Sequence, residues 1–503
     1  MTRVRAAAAL ACALAVGLST TLPAGALASA QVPPAPRQPV GEPPPVPRPD
    51  IIVVYIDDVP PLDGRLWTAE RTPDVRRWIM DRGLTFTNAI GESPLCCPAR
   101  ASLLTGLHTH NHGVTRNEAA LFDPRVSVAS ELRDVGYRTA WIGKYLNRYM
   151  SMRGAARLAH EAPWDTFQPM SGGGHGYYLW PKGEPRYQRP ATHSMRLLQD
   201  LAVAELRAAP PTQPLFAVLS TYAGHLPNDP LPEWRGSARC AGVGRWKPPN
   251  HGAAANAGKP DWMRRWAEHQ RPRVSPRGMP LARVCEDLLG VDQLVGMVVQ
   301  EQSARGRLDD TLLVLTSDNG LLLGEYGLLG KHVPWSMSVP LAMAWPRAMG
   351  TTARTTEVPT SSIDLAPTFC AIAGCRMGPF PSGHATADGI SLVPVMLGGA
   401  APPRTALLSA MLEGNPVTGM PPWTAVTTYP GHPLGRWHYI RWATGRRELY
   451  DLAADPWEVH DVSQDPAYVP VRRALERLRR GLRAEGTLRP TVTSDARSAE
   501  RVR

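Results

Sequence analysis

Four short stretches of this 503-residue chain carry residue types able to do chemistry. In Ser93-Pro94-Leu95-Cys96-Cys97-Pro98-Ala99-Arg100-Ala101-Ser102-Leu103-Leu104-Thr105-Gly106, a thiol stands just before a predicted short helix. Pro98 suits the first helical position, Leu103 and Leu104 can pack inward, and Gly106 can end the helix in the left-handed conformation. Cys96 would then face the unpaired N–H groups of a helix N-terminus, which attract anions. Asp57-Asp58 and the distant Ser317-Asp318-Asn319-Gly320 offer carboxylate and amide oxygens. Either alone reads as a solvated loop or an Asx turn; together they make an oxygen-only set suited to Ca²⁺ or Mg²⁺ rather than zinc. His108-Thr109-His110-Asn111-His112 matches no helical or finger-type zinc spacing, and reads as a hydrogen-bonded loop at a pocket rim.

These residues need a scaffold, and the apolar pattern supplies one. Ile51 to Ile56 is a short apolar run bounded by Asp, as expected of a buried parallel strand, and similar runs recur at Arg138 to Ile142, Leu215 to Leu219 and Thr311 to Thr316. Helical patterns lie between them. Leu132 and Val135 precede the C-cap signal Gly136; Leu197, Leu198, Leu201 and Ala202 mark an apolar face; Val284, Leu288, Val291, Val295 and Val298 step by four and three. Alternating strands and helices predict an α/β fold with a mostly parallel sheet covered on both faces. Ligands of such sheets sit beyond the carboxyl ends of the strands. Asp57 and Asp58, Lys144, His225, and Asp318 with Asn319 each follow one of the four runs, so four distant loops are expected to meet at one mouth.

Other segments set the boundaries. Residues 1–30 read as a secretion signal, with Arg3 and Arg5, an apolar run from Ala6 to about Leu22, and Ala28-Ser29-Ala30 as the cleavage site. That run is short and Ala-rich for a bilayer span, so no stable membrane anchor is expected. Residues 31–49 hold nine prolines and form a linker. The catalytic domain is placed at 50–400. Residues 240–280, with Trp246, Trp262 and Trp266 among Arg, Lys, Pro and Gly, lack periodicity and read as a long surface excursion. From 401 to 485 shorter strands at Thr405 to Leu408, Trp423 to Tyr429, Trp437 to Ala443 and Arg447 to Leu452 precede a helix with Val471, Leu475, Leu478 and Leu482 on one face, predicting a small antiparallel sheet with a helix on it. The tail, 486–503, is polar and predicted to be disordered.

The net charge is +11, and the signal contains two Arg and no acid, which leaves +9 without it. This favours anionic partners, with nothing pointing to nucleic acid. Of seven Cys, Cys12 lies in the signal. In an exported protein Cys370 and Cys375 could close a small loop and Cys240 could pair with Cys285, leaving Cys97 over; spacing alone does not settle the connectivity.

The longer pattern Cys-x-Pro-Ala-Arg followed by Leu-Thr-Gly resembles the signature of the type I sulfatases. The resemblance extends over most of the chain: Asp57-Asp58, Gly143-Lys144, His225, Ser317 to Gly320, Gly330-Lys331, Ile363 to Thr368, and Glu448 to Leu452 followed by Asp455-Pro456. Cys-Cys-Pro, the His-Asn-His loop and Gly143 to Asn147 look most like the N-acetylglucosamine-6-sulfatase and heparan sulfate 6-O-endosulfatase branch. The resemblance implies an alkaline phosphatase-like fold. It implies that a formylglycine-generating enzyme converts Cys96 to formylglycine, whose hydrate attacks the sulfur of a sulfate monoester and passes through a sulfated intermediate. It also implies Ca²⁺, with Mg²⁺ as the alternative, held by Asp57, Asp58, Asp318, Asn319 and residue 96. Arg100 and Lys144 would hold the formylglycine hydroxyls, while His225 and Lys331 would bind sulfate and assist the leaving alcohol. The chain departs from the pattern at Leu146, where many sulfatases have His, at Arg148, where the branch has an acid, and at Val333 to Met337, which lacks the usual Tyr-Glu. The expected activity is sulfate monoester hydrolysis on a carbohydrate such as 6-O-sulfated N-acetylglucosamine. A formylglycine-dependent phosphonate or phosphate ester hydrolase and a non-catalytic carbohydrate-binding relative are the alternatives.

Overall fold

Successive side chains of an extended strand leave it on opposite sides, and in Asp50–Ile56 both sides are apolar. Ile51, Val53 and Tyr55 enter one core; Ile52, Val54 and Ile56 enter another. A strand with two buried faces must lie inside a sheet covered by helices on both sides. The computed structural model, which describes residues 48–60, 64–252 and 256–484, has this strand at the centre of a nine-stranded sheet. Thr311–Ser317 and Leu215–Ser220 flank it in parallel, and Arg138–Lys144 and Thr166–Ser171 continue the parallel run. On the other side Leu341–Ala344 pairs antiparallel with Thr311–Ser317 and with Leu84–Phe86, so the sheet is mixed but mostly parallel. The four predicted strands are all present, extended by one or two residues.

One face of the sheet is closed by the helices Cys96–Thr105, Val128–Asp134 and Leu365–Ala373, the other by Ser194–Ala208 and the long Ala282–Ala304. The four-three stripe expected along the last of these is buried throughout. Both suggested disulfides form, Cys240–Cys285 and Cys370–Cys375; among the described residues Cys96 and Cys97 are the free cysteines.

The C-terminal sheet is antiparallel in the order Ala406–Met411, Trp423–Thr428, Trp437–Trp442, Arg447–Asp451. Its outer face carries Val426, Tyr439 and Leu449 against Leu475 of the Val469–Ala484 helix. Its inner face, with Trp423, Ile440, Trp442 and Tyr450, packs on Tyr326, Leu328 and Val333 of the main body.

The segment 240–280 corrects an expectation. It contains the helix Asp261–Gln270, whose Trp262, Met263 and Ala267 are buried in that same inner core. Trp262, Met263, Trp266 and Ala267 are spaced as one helical face, a pattern masked by surrounding Arg and Pro. The expected signal, the linker up to residue 47 and the tail from 486 lie outside the described residues. No helix among the described residues is long and apolar enough to cross a membrane.

Candidate active site

The Cys96–Thr105 helix starts two residues earlier than the position of Pro98 suggests. Leu95 is the N-cap, so Cys96 is the first helical residue and Pro98 the third. Proline is tolerated there because the first four helical N–H groups have no partner within the helix. Asn117 Oδ1 accepts the Cys97 N–H at 2.9 Å. Gly106 ends the helix in the left-handed region, φ 71°, as expected.

Cys96 Sγ sits where the parallel strands end. Lys331 Nζ donates to it at 2.8 Å and Lys144 Nζ at 3.2 Å, while Asp57 Oδ1 lies at 3.9 Å. Lys144 also pairs with Asp57 Oδ2, and Lys331 with Asp58 Oδ1 and with Asn319 Oδ1 at 2.9 Å. Neighbouring residues of an extended chain point to opposite sides, but Asp58 adopts left-handed backbone, φ 50°, and both carboxylates reach the same cluster. Ligand atoms of Asp57, Asp58, Cys96 and Asp318 all lie within 4.8 Å of one another, all buried. Asn319 is oriented by Nδ2 donating to Ser93 O at 2.7 Å, which turns its carbonyl oxygen toward Lys331. Three carboxylates and an amide oxygen in one buried cluster fit a hard divalent cation. Zinc would want several His or Cys donors; the cluster offers one, Cys96 Sγ, and the His108–His112 stretch supplies none.

Arg100, one helical turn beyond Cys96, is fully buried. Its Nε donates to Asp318 Oδ2 at 2.9 Å, and its Nη1 to Lys144 O at 2.8 Å and Ser220 Oγ at 2.7 Å. The guanidinium therefore braces Asp318 and the Lys144 backbone through Nε and Nη1, while its buried Nη2 has no hydrogen-bond partner among the described residues. His225 stands at the edge, its side chain 42% exposed, with Nε2 3.7 Å from Asp58 Oδ2.

Burial opposes the charge on Lys144 and on Lys331, but Asp57 beside the first and Asp58 beside the second outweigh it, and both ammonium groups are held well above the usual lysine range. Burial pushes the Cys96 thiol up, and the two lysines only partly offset this. A cysteine nucleophile needs the opposite shift. Cys97 is pushed up to about 12 by burial and is tied to Asn147, whose N–H donates to its sulfur at 3.0 Å.

The His108–His112 stretch is a short helix, Thr109–His112, not a loop. Its organiser is the buried Glu92: Oε1 accepts the Thr109 N–H at 3.1 Å and faces His108 Nδ1 at 3.3 Å, while Oε2 accepts the Thr109 and Ser102 hydroxyls. Sequence reasoning also passed over Tyr222, whose ring lies 5.2 Å from Lys144 Nζ, and Ser220, which binds Arg100. Their signal was available: both stand at the carboxyl end of a predicted strand. Leu146, at the place of the missing His, is buried in the core.

Comparison with known proteins defines the class. The sulfatase family model matches residues 49–375, and a model for the C-terminal part of N-sulphoglucosamine sulphohydrolase matches residues 324–485. The chain belongs to the sulfatase family. It is 30% identical over 368 residues to the extracellular sulfatase SULF-1 homolog of Drosophila melanogaster, covering 70% of this chain and 31% of that protein. It is 27% identical over 373 residues to the human N-acetylglucosamine-6-sulfatase, covering 70% of this chain and 65% of the relative. The aligned part is thus under two thirds of the length of these relatives. A protein solved with its substrate D-glucosamine-2-N,6-O-disulfate superposes with a TM-score of 0.68 at 22% identity, over 87% of this chain and 98% of that one. A phosphonate monoester hydrolase of Agrobacterium radiobacter gives 0.67 at 22%, over 88% and 96%. These two share the alkaline phosphatase-like fold.

Proposed function

We propose that this protein is a secreted sulfatase that hydrolyses sulfate monoesters on carbohydrate, with 6-O-sulfated N-acetylglucosamine as the candidate substrate. The observation that carries the reading is Cys96 itself. It begins a helix in a sulfatase signature and receives two lysine ammonium groups beside three carboxylates, while burial pushes its thiol up from the ordinary cysteine range. A residue so placed fits a precursor. Formylglycine, once made from Cys96 by a formylglycine-generating enzyme and hydrated by water, would supply one hydroxyl to displace the alcohol from sulfur and a second whose deprotonation would expel sulfate and restore the aldehyde. A divalent cation, Ca²⁺ or Mg²⁺, held by Asp57, Asp58, Asp318 and Asn319, supplies charge neutralisation at the sulfate.

The chain's own groups supply the rest. Lys144 and Lys331 are donors fixed by carboxylates and held charged, so they can stabilise negative charge growing at residue 96 and on the sulfate oxygens without reorganising. Arg100 keeps Asp318 in place. His225 Nδ1 lies 2.7 Å from Leu226 O; a carbonyl only accepts, so Nδ1 carries the proton and Nε2 is the nitrogen that exchanges one with the leaving oxygen.

The reading is tested on protein co-produced with a formylglycine-generating enzyme. Mass spectrometry of the alkylated peptide containing Cys96 and Cys97 should find an aldehyde at 96 and an alkylated thiol at 97. Side by side, 4-nitrophenyl sulfate and bis(4-nitrophenyl) phosphate should show the sulfate ester turned over faster. Dominant phosphodiester turnover would replace this reading with that of a phosphonate or phosphate ester hydrolase, and no turnover of any ester by the aldehyde form would leave a non-catalytic carbohydrate binder.

A further inference from the structure

The segment that presents His225 begins where the Leu215–Ser220 strand ends, and it is gripped from two sides. On the first side the Asp57 N–H donates to Ala223 O at 3.2 Å. Gly224, φ 93°, then passes so close to the carboxylate-bearing strand end that a Cβ there would lie 2.4 Å from Asp57 O and 3.0 Å from Asp58 O. Only glycine satisfies both the left-handed backbone and that approach.

On the second side stands Asp287, from the long Ala282–Ala304 helix. Its Oδ2 accepts the Gly224 N–H at 2.8 Å and Asn228 Nδ2 at 3.1 Å, and the same Asn228 amide donates to Gly224 O at 3.1 Å. One carboxylate oxygen thus holds both ends of the turn that contains His225. Asp287 is 8% exposed and shares with Tyr222 and His225 the wall of a cavity of about 290 Å³. Burial pushes its carboxyl up to about 6 against the pull of these two donors. The helix does not need a carboxylate here for packing, since Leu288, Val291 and Val295 already close its apolar face.

His225 has little else to orient it. The one Nδ1 contact is to its own neighbour, Leu226 O, and the ring is half exposed. The position of Nε2 relative to Asp58 therefore follows from the backbone of residues 223–228, and that backbone is set by Gly224 against the strand end and by Asp287 behind it.

We propose that Asp287 is a positioning residue for sulfate ester cleavage, fixing the turn on which His225 aims Nε2 at the leaving oxygen. This rests on the sulfatase reading above.

The experiment compares Asp287→Ala, Asp287→Asn and His225→Ala in the full-length, formylglycine-bearing protein. Two esters are used: 4-nitrophenyl sulfate, whose alcohol leaves without much protonation, and a sugar 6-sulfate, whose alcohol needs a proton. Asp287→Ala should lower kcat/KM for the sugar sulfate about 10- to 100-fold and for the nitrophenyl ester less than about threefold, through kcat rather than KM. His225→Ala should show the same leaving-group bias, and the double variant should be no worse than His225→Ala by more than about threefold, because both act through one group. Asp287→Asn, which offers one oxygen to the same two donors, should recover most of the loss. If Asp287→Ala does not fold, Asp287→Leu, which keeps the branched shape and removes both oxygens, takes its place. Equal losses on the two esters, losses that multiply in the double variant, or no loss at all would overturn the proposal while leaving the sulfatase reading intact. A formylglycine-bearing wild type inactive on both esters would remove the sulfatase reading and this proposal with it.

Discussion

Two buried polar clusters lie along the Cys96–Thr105 helix, one at its start around Cys96 and one beside its later turns around Glu92. Both are built from carboxylates and nitrogen bases on distant segments. In the Glu92 cluster the bonds close on one another: Val114 N–H donates to His112 Nδ1 at 3.0 Å, so His112 Nε2 carries the proton for Ser102 Oγ at 3.0 Å, and Ser102 donates on to Glu92. In the Cys96 cluster three chain segments, at Asp57-Asp58, Cys96 and Asp318, bring their ligand atoms to one shared point, and one of its bases, His225, is half exposed. Similar residue types give a brace where donors and acceptors are consumed internally, and a reactive centre where they converge.

Substitutions can break this contrast, and the largest effect is expected at Cys96. Cys96→Ala should lower turnover of 4-nitrophenyl sulfate by about 10⁴-fold or more. Its circular dichroism and denaturation midpoint should stay close to wild type, and comparable activity in that variant would end its role as the nucleophile's precursor. Glu92→Ala should do the reverse. It strands the Thr109, Ser102 and His108 donors, which should cost roughly 3–5 kcal/mol of stability. Urea denaturation should show the loss, while activity per folded molecule changes little; a variant as stable as wild type would mean that the network is not a brace.

A smaller effect sharpens the contrast. Ca²⁺ at a hundred times its dissociation constant should stabilise the wild type by about 2.7 kcal/mol in a thermal shift assay. Asp318→Asn should remove most of that shift and Glu92→Gln none of it, and an undiminished shift in Asp318→Asn would place the cation elsewhere. The smallest effect concerns pH. Burial holds His110 and His112 down at about 4, below the ordinary histidine value of 6.5, so the folded state binds fewer protons than the unfolded chain between these values, and stability is lost as pH falls from about 6.5 toward 4. His108 works the other way: burial opposes its charge, but Glu92 outweighs burial and raises its pKa, so its contribution is present below 6.5 and fades as pH rises through the folded value. His112→Gln should therefore make the melting temperature fall less on acidification than it does in the wild type; an unchanged difference would remove His112 from the account.

Much of the fold was legible because a strand buried on both faces has to be largely apolar, and Ile51 to Ile56 and the Leu312 to Leu315 centre of the fourth run are. Strand ends then located Asp57, Asp58, Lys144, Asp318 and Asn319. The Asp261–Gln270 helix was obscured because its apolar stripe is short and set among Arg and Pro. Glu92 and Asp287 were invisible for a different reason. An acidic residue in a loop or within a helix reads as solvated, and only burial against specific N–H donors distinguishes it.

The sequence by itself determined the alternation of buried strands and helices, the oxygen-rich donor set, and Cys96 as the proposed site of reaction, because residue type and short-range spacing carry that information. Tertiary structure decided which groups touch. It set Arg100 against Asp318 rather than against the thiol, put two lysines on Cys96 and an asparagine on Cys97, and drew Glu92 and Asp287 inside. Those outcomes depend on contacts between residues up to 235 positions apart, as in Lys331 and Cys96, and on how helices pack over the sheet, which local pattern does not encode.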